Sequence, residues 1–518
     1  EAGACVCSGD NNVAIGNCAG KGVGATGTQN VFIGQYAGCA VTTANSNVFI
    51  GRRAAKEAQT LRNSVVIGCA AAQCRCDGNE NVFIGKDAGK GSSTTSNNTG
   101  NYNVVVAGRT GAINLTSGSS NVFLGDYVAA CVTSGGSNVV LGRNAGRNIT
   151  TGSENIFLGS CAGGTGTVTG TGCNIAIGRC SALNLTIGTK NVIMGTNSGE
   201  NITEGENNIF LGTYAGKDNT TGDSSIYLGT SAGANYTGGC NIAIGVEAGA
   251  GVDGSATGTR NIAMGCEAGK CGTSGAENIY MGSSAGKCTS SGSYNTFLGE
   301  SAGRCNTTGS CIVAIGPNAN YCGTAACHSV FIGPNAGRES RGENGVMVGV
   351  YAGYKRCTGD SNVFLGQCAG YGSATLSNNT GANNIAIGMA AGKLISSGGG
   401  NIFMGNYAGG GDTVTGGSNV FLGPNAGKCL QSGAYNVALG SGALCDIDSG
   451  ENNIGVGRCA GMKNATGTDN TFMGKYAGCE GTNGSHNFFV GNSAGRCKVG
   501  FGNIIIGEEA GRGSSTTA

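Results

Sequence analysis

The side chains able to do chemistry in this 518-residue chain are thiols and amides. There are 26 Cys against two His (His328 and His486) and no Trp. Eight Cys share one phase, six residues after a recurrent Gly: Cys74, Cys131, Cys271, Cys288, Cys305, Cys322, Cys429 and Cys497. Cys271, Cys288, Cys305 and Cys322 are spaced by 17 residues each. If 17 residues make one coil of a stack, these thiols recur about every 4.8 Å, inside the Cα window of a disulfide. Staples between neighbouring coils follow: Cys271–Cys288 with Cys305–Cys322, which leaves nothing in that run unpaired, and also Cys161–Cys180, Cys311–Cys327, Cys429–Cys445 and Cys479–Cys497. Each closes a loop short enough to add on the order of 3 kcal/mol. Free buried thiols are the alternative, as is a metal at Cys5-Val-Cys7 or Cys74-Arg-Cys76, although two His leave few of the usual partners. The even, high Cys number without C-x-x-C modules points to an oxidising, extracellular setting.

Asn supplies eleven Asn-x-Ser/Thr sequons: Asn97, Asn114, Asn148, Asn184, Asn201, Asn219, Asn235, Asn306, Asn378, Asn464 and Asn483. An Asn-rich chain yields such a number by chance. Their phase carries more, because eight lie six or seven residues after the recurrent Gly, beside the Cys, and Asn184, Asn201, Asn219 and Asn235 fall in consecutive repeats. In a glycosylating pathway this side becomes a sugar stripe, while turn chemistry alone also favours Asn there. The carboxylates are scattered, with no triad, nonapeptide calcium repeat or Thr-x-Thr stripe, so neither catalysis nor a cofactor is expected.

The elements that position these groups come from a repeat. Gly numbers 103, about one residue in five, yet there are 3 Pro and no every-third-residue Gly, which excludes collagen. At 39% hydrophobic and 11% charged the chain is not disordered, and a net charge of +1 removes the footprint of a nucleic-acid or anionic-membrane binder. No apolar run approaches the roughly 20 residues of a membrane span. The unit reads Asn, aliphatic, Phe or Ala, aliphatic, Gly, two variable residues, Ala, Gly, as in Asn30 to Gly38 and Asn208 to Gly216. Taking the central Gly as anchor, 29 copies run from Gly16 through Gly108 to Gly507, and 19 of the 28 intervals are 17 residues. Extra residues in the long intervals, such as Ser96 to Gly100 and Ser377 to Gly381, are turn formers, so insertions lie in loops.

A period this short, with β runs bounded by Gly and Asn, predicts an all-β parallel solenoid, a β-roll of about 29 coils and about 140 Å. Its expected bounds are a 1–11 extension carrying Cys5 and Cys7, a continuous repeat domain over 12–511 and a polar tail over 512–518. Asn four residues before the anchor (Asn30, Asn47, Asn81, Asn121, Asn138, Asn155) can stack as an amide ladder, or simply favour the turn before a strand. Alternation places the aliphatic pair (Val31 and Ile33) on one face and Asn with Phe on the other. The aliphatic pair, with the Ala three residues after the anchor, is expected inside. The Phe stripe (Phe32, Phe49, Phe83 and onward) is then outside, covered by a second side of the same chain or, since each coil leaves little chain for that, by lateral self-association. Each Pro (Pro317, Pro334, Pro424) directly follows an anchor, marking a corner that needs no ladder N–H.

The segments Asn12 to Ala19, Asn241 to Ala248 and Asn384 to Ala391, Asn-aliphatic-Ala-Ile-Gly-x-x-Ala, resemble the repeat of trimeric autotransporter adhesin heads. The resemblance implies a parallel β-roll with three chains on a common axis. Asn295 to Gly303 and Asn470 to Gly478 are similar to repeats of bacterial and phage tail-fibre-like surface proteins. The functional expectation is a structural subunit of an extracellular, disulfide-stapled, N-glycosylated filament. The chain is its own partner, head to tail through Cys5 and Cys7 and laterally as a bundle or trimer along the Phe stripe. The rival is an adhesin or tail-fibre shaft that binds host-surface or glycan ligands.

Overall fold

The computed structural model describes residues 9–22, 26–92, 98–170, 172–252, 256–324, 326–355, 358–373, 375–481 and 483–513. They contain 29 strands of three residues each and no α-helix, with one 3-10 turn at Leu376–Asn378. Chain contacts divide into two units, Glu1–Arg260 and Asn261–Ala518. The first holds β1 (Val13–Ile15) to β14 (Ile242–Ile244), the second β15 (Ile262–Met264) to β29 (Ile504–Ile506). Each is a parallel β-solenoid in which consecutive strands pair in register, as in Ile209↔Ile226 with Phe210↔Tyr227, and Ile279↔Thr296 with Tyr280↔Phe297.

Coil-to-coil hydrogen bonding continues beyond the strands. Around Gly282 the amide donates back to Met264 O at 2.8 Å, Ser284 N–H to Cys266 O at 2.9 Å, and Gly286 and Cys288 N–H forward to Ala302 O and Arg304 O at 2.8 and 2.9 Å. The next corner position lies at positive φ even with ordinary side chains, as at Cys161 (59°) and Tyr214 (58°). Their amides, bonded to Arg143 O and Thr196 O, hold this costly conformation in place. The residue after the anchor only accepts there: Pro317 O and Pro334 O take the amides of Asn335 and Tyr351. Pro is therefore admitted. Where the anchor lies at positive φ it must be Gly: at Gly282 φ is 132° and a Cβ would stand 2.5 Å from Gly299 O. Gly282→Ala is expected to cost about 3 kcal/mol, read by hydrogen exchange as lost protection of its own and the adjoining coil.

The facing of the strands is the reverse of the sequence expectation. Phe32, Phe49, Phe83, Phe123, Phe157 and Phe210 are buried, the amides of the Asn column are buried beside them, and the aliphatic pair points outward, Val122 and Leu124 being 39% and 47% exposed. The Ala three residues after the anchor, such as Ala37 and Ala162, is buried with the rings. The aliphatic pair still lies opposite Asn and Phe, but the sign inverts, and the Ala, inside as expected, goes with the rings and not with the aliphatic pair; the Phe stripe therefore cannot be a lateral contact. Only the inward column meets the small-residue corner: Phe157 lies against Gly163, where a Cβ would come 2.5 Å from the ring. Along part of the first unit the column alternates large and small (Phe83, Val105, Phe123, Val140, Phe157, Ala176), so that rings tilt over short neighbours and fill the core. A second correction concerns one anchor. The strand Val104–Val106 pairs Val106 with Leu124, which puts Ala107, not Gly108, at the anchor phase and adds Asn103 to the amide column.

Candidate functional site

The most built feature of the molecule is the amide column. Asn138 Nδ2 donates to Asn121 Oδ1 at 3.0 Å and to Gly152 O at 2.8 Å, and Asn138 N–H also reaches Asn121 Oδ1 at 3.0 Å. Its own Oδ1 accepts from Asn155 N–H and Nδ2 at 3.0 and 3.1 Å. Both donors and both lone pairs are used with the side chain 0% exposed, which no other side chain of that length can match. Asn30 and Asn47 repeat the pattern, Asn47 Nδ2 reaching Asn30 Oδ1 at 2.9 Å and Leu61 O at 2.7 Å. The Asn81 backbone N–H donates to Ser64 Oγ where Ser replaces the preceding Asn. In the second unit Asn436, Asn453 and Asn470 continue it. Chemically the column fixes register: a slip of one residue would bury unpaired amides in every coil.

The thiols lie mostly on the outer corners. Cys271 N–H donates to Lys287 O and Cys305 N–H to Tyr321 O, each the residue before the facing Cys. The Cys271 thiol neighbours that of Cys288 closely enough for its ionisation to be affected, as Cys305 does Cys322 and Cys180 does Cys161. Burial, helped by the neighbouring thiol, raises the pKa of Cys271, Cys305 and Cys180. The other three expected pairs are out of register by one residue. Cys311 takes the phase of His328, whose N–H reaches Ser310 O, while Cys327 stands one residue earlier. Cys429 N–H donates to Cys445 O and so faces Asp446, and burial pushes the Cys445 thiol up to about 12. Cys497 Sγ lies 3.2 Å from Glu480 Oε2, with Cys479 one residue before Glu480 and buried, its pKa pushed up to about 11. Cys74 sits beside Glu57, and Cys76 Sγ lies 3.6 Å from Gln59 Oε1. Among the described residues no three His, Cys, Asp or Glu converge on one point. Cys5 and Cys7 lie outside the described residues.

The sequons divide by phase. Asn114, Asn378 and Asn483 are exposed, and Asn148, Asn184, Asn201 and Asn235 half-buried. Asn184 Nδ2 donates to Asn201 Oδ1 at 2.8 Å, and Asn201 Nδ2 to Asp218 Oδ1 at 2.6 Å. Asn219, Asn306 and Asn464, seven residues after their anchors instead of six, point inward and are essentially inaccessible. A glycan cannot occupy them without opening the coil. The expected four-coil run of Asn184, Asn201, Asn219 and Asn235 is therefore broken at Asn219. Asn97 lies outside the described residues.

Two features escaped sequence reasoning. Arg75 is 0% exposed in the inward column otherwise occupied by Ala58 and Leu115, and donates to Gly100 O at 2.8 Å and Leu115 O at 3.3 Å. Burial pulls its pKa down to about 10. A cation in an apolar phase just before the longest coil was the available signal. On the outer corner of the second unit Arg304, Tyr321, Arg338, Tyr354 and Tyr371 stack coil on coil. The Arg338 guanidinium lies 5.2 Å from the Tyr321 ring and 5.8 Å from Tyr354, and Tyr354 stacks on Tyr371 at 5.0 Å. Arg304 also donates to the Tyr321 hydroxyl. Ring faces here are taken by their neighbours, so the ladder braces the corner instead of presenting a platform.

Comparison with known protein families matches none of them, and comparison with curated proteins finds no significant relative. No helix among the described residues is long and apolar enough to cross a membrane.

Proposed function

We propose that the protein is a structural subunit of an extracellular filament, stapled by disulfides between coils and extended by head-to-tail addition. The observation that carries this reading is the purpose of its buried polar side chains: coil after coil they are spent on the amide column, which holds register. An edge built of such coils offers a further coil the same strand, the same amides and the same ring column. Because the two edges of a parallel coil differ, their contact is heterologous and propagates. In this reading the protein is not an enzyme, Cys5 and Cys7 lock one subunit to the next, and sugars sit on the outward sequons such as Asn114 and Asn148.

The test is light scattering of the oxidised protein across a concentration series. Mass that climbs well beyond 50.8 kDa into elongated particles is the expected result. A monodisperse monomer far above micromolar concentration would overturn it, and binding to a host-glycan array by such a monomer would instead favour an adhesin or tail-fibre shaft. Disulfide mapping gives a second check. Cys161–Cys180, Cys271–Cys288 and Cys305–Cys322 are expected as linked peptides, and complete alkylation of these six without reductant would exclude the staples.

A further inference from the structure

We infer that the outward face of the first unit's sheet is a pairing surface for a second copy of this chain, the two copies running parallel about a two-fold axis along the solenoid. The inference stands apart from head-to-tail extension, since it concerns the side of the stack. In β1–β14 all outward strand positions are Val, Ile, Leu or Met, and several are well exposed: Ile15 57%, Leu124 47%, Val122 39%. Three-residue strands about 10 Å wide, stacked 14 deep at about 4.8 Å, present roughly 650 Å² per copy. Two copies together bury about 1,300 Å², within the range of specific stable interfaces. A ridge repeating every 4.8 Å is matched along its length by another with the same spacing, which a second copy supplies.

Size and charge choose the direction. The first outward column is β-branched throughout and Val in each of β1–β8, while the second is mostly Ile or Leu. An axis along the solenoid sets the smaller column against the larger in each coil, whereas an axis across it sets like against like. The rim beyond the second column carries Arg52, Lys86, Arg143 and Arg179, all exposed, with Asp126 the one acid. The opposite rim carries Glu80 and Glu154 with Lys190. Parallel copies bring the basic rim to the acidic one, and Glu80 and Lys86, in the same coil, meet reciprocally. Antiparallel copies would set the basic rims against each other.

Mass per length, by scanning transmission electron microscopy of the full chain, reads the pairing whatever the particle length. With 50.8 kDa over 29 coils, one stack has about 0.36 kDa per Å and a pair about twice that, at about 4.8 Å per coil. The expected result is the paired value, halved in Leu124→Lys/Leu158→Lys with unchanged circular dichroism. Lys86→Glu should weaken pairing at least tenfold and Glu80→Lys/Lys86→Glu restore it. A single-stack value for the native protein overturns the inference even if filaments are long, and so does indifference to the paired lysines. Stronger pairing in Lys86→Glu alone would overturn the parallel arrangement. Short particles of paired mass would leave the pairing standing and count against head-to-tail extension.

Discussion

Asn138→Ala is expected to lower local stability by about 4 kcal/mol, among the largest effects of any single substitution in the first unit. The change removes four hydrogen bonds and leaves Gly152 O and the Asn155 backbone N–H without partners in a dry interior, while Asn121 Oδ1 keeps only the backbone N–H of residue 138. Because a stack of coils need not unfold as one cooperative step, the readout is hydrogen exchange over residues 121–155, where protection should fall by about a thousandfold. Asn138→Asp separates the amide's bonding from its shape. The carboxylate has no donor for Gly152 O and is buried without a cation, so its folded pKa is expected above the unfolded value of about 3.9. A raised carboxyl pKa penalises the fold above the unfolded pKa and not below it. The variant should thus be weakest at neutral pH and regain stability below about pH 4, where the acid form can donate. A defect that does not change with pH would mean the position is not buried.

The second large effect distinguishes inside from outside. Phe157→Ala should cost about 3–4 kcal/mol, since the ring is fully buried and Ala176 on the next coil cannot fill the space. Leu158→Ser, one residue on and outward-facing, should cost about 1 kcal/mol or less. Denaturant midpoints of the two variants check the ordering. The reverse ordering would restore the aliphatic interior that the sequence alone suggests.

That inversion marks what could and could not be read from the sequence. The period, the parallel stack and the insertion loops were legible, because Gly and Asn punctuate every coil and spacing needs no knowledge of facing. In a three-residue strand such as Val31-Phe32-Ile33, parity is fixed but both faces are apolar, so hydrophobicity gives no sign. The usable clue was variety. The inward position ranges from Phe to Gly455, matching neighbours in a packed core, whereas the outward positions hold nearly uniform Val, Ile and Leu. For the thiols and sequons the phase was legible and was read one residue too loosely. Cys327 lies six residues before Gly333 where Cys311 lies five before Gly316, and Asn219 lies seven after Gly212 where Asn201 lies six after Gly195. One residue decides which way a side chain points. Arg75's place in an apolar phase was legible, but its burial was not, because only the structure supplies the carbonyls of Gly100 and Leu115 that make it tolerable.

Fibre diffraction from oriented material assembled by the oxidised protein tests the structural reading most directly. Strands stacked along a growing filament should give a meridional reflection near 4.8 Å. Material that fails to orient into filaments, or a 4.8 Å spacing on the equator, with strands running along the fibre, would contradict a filament built coil upon coil.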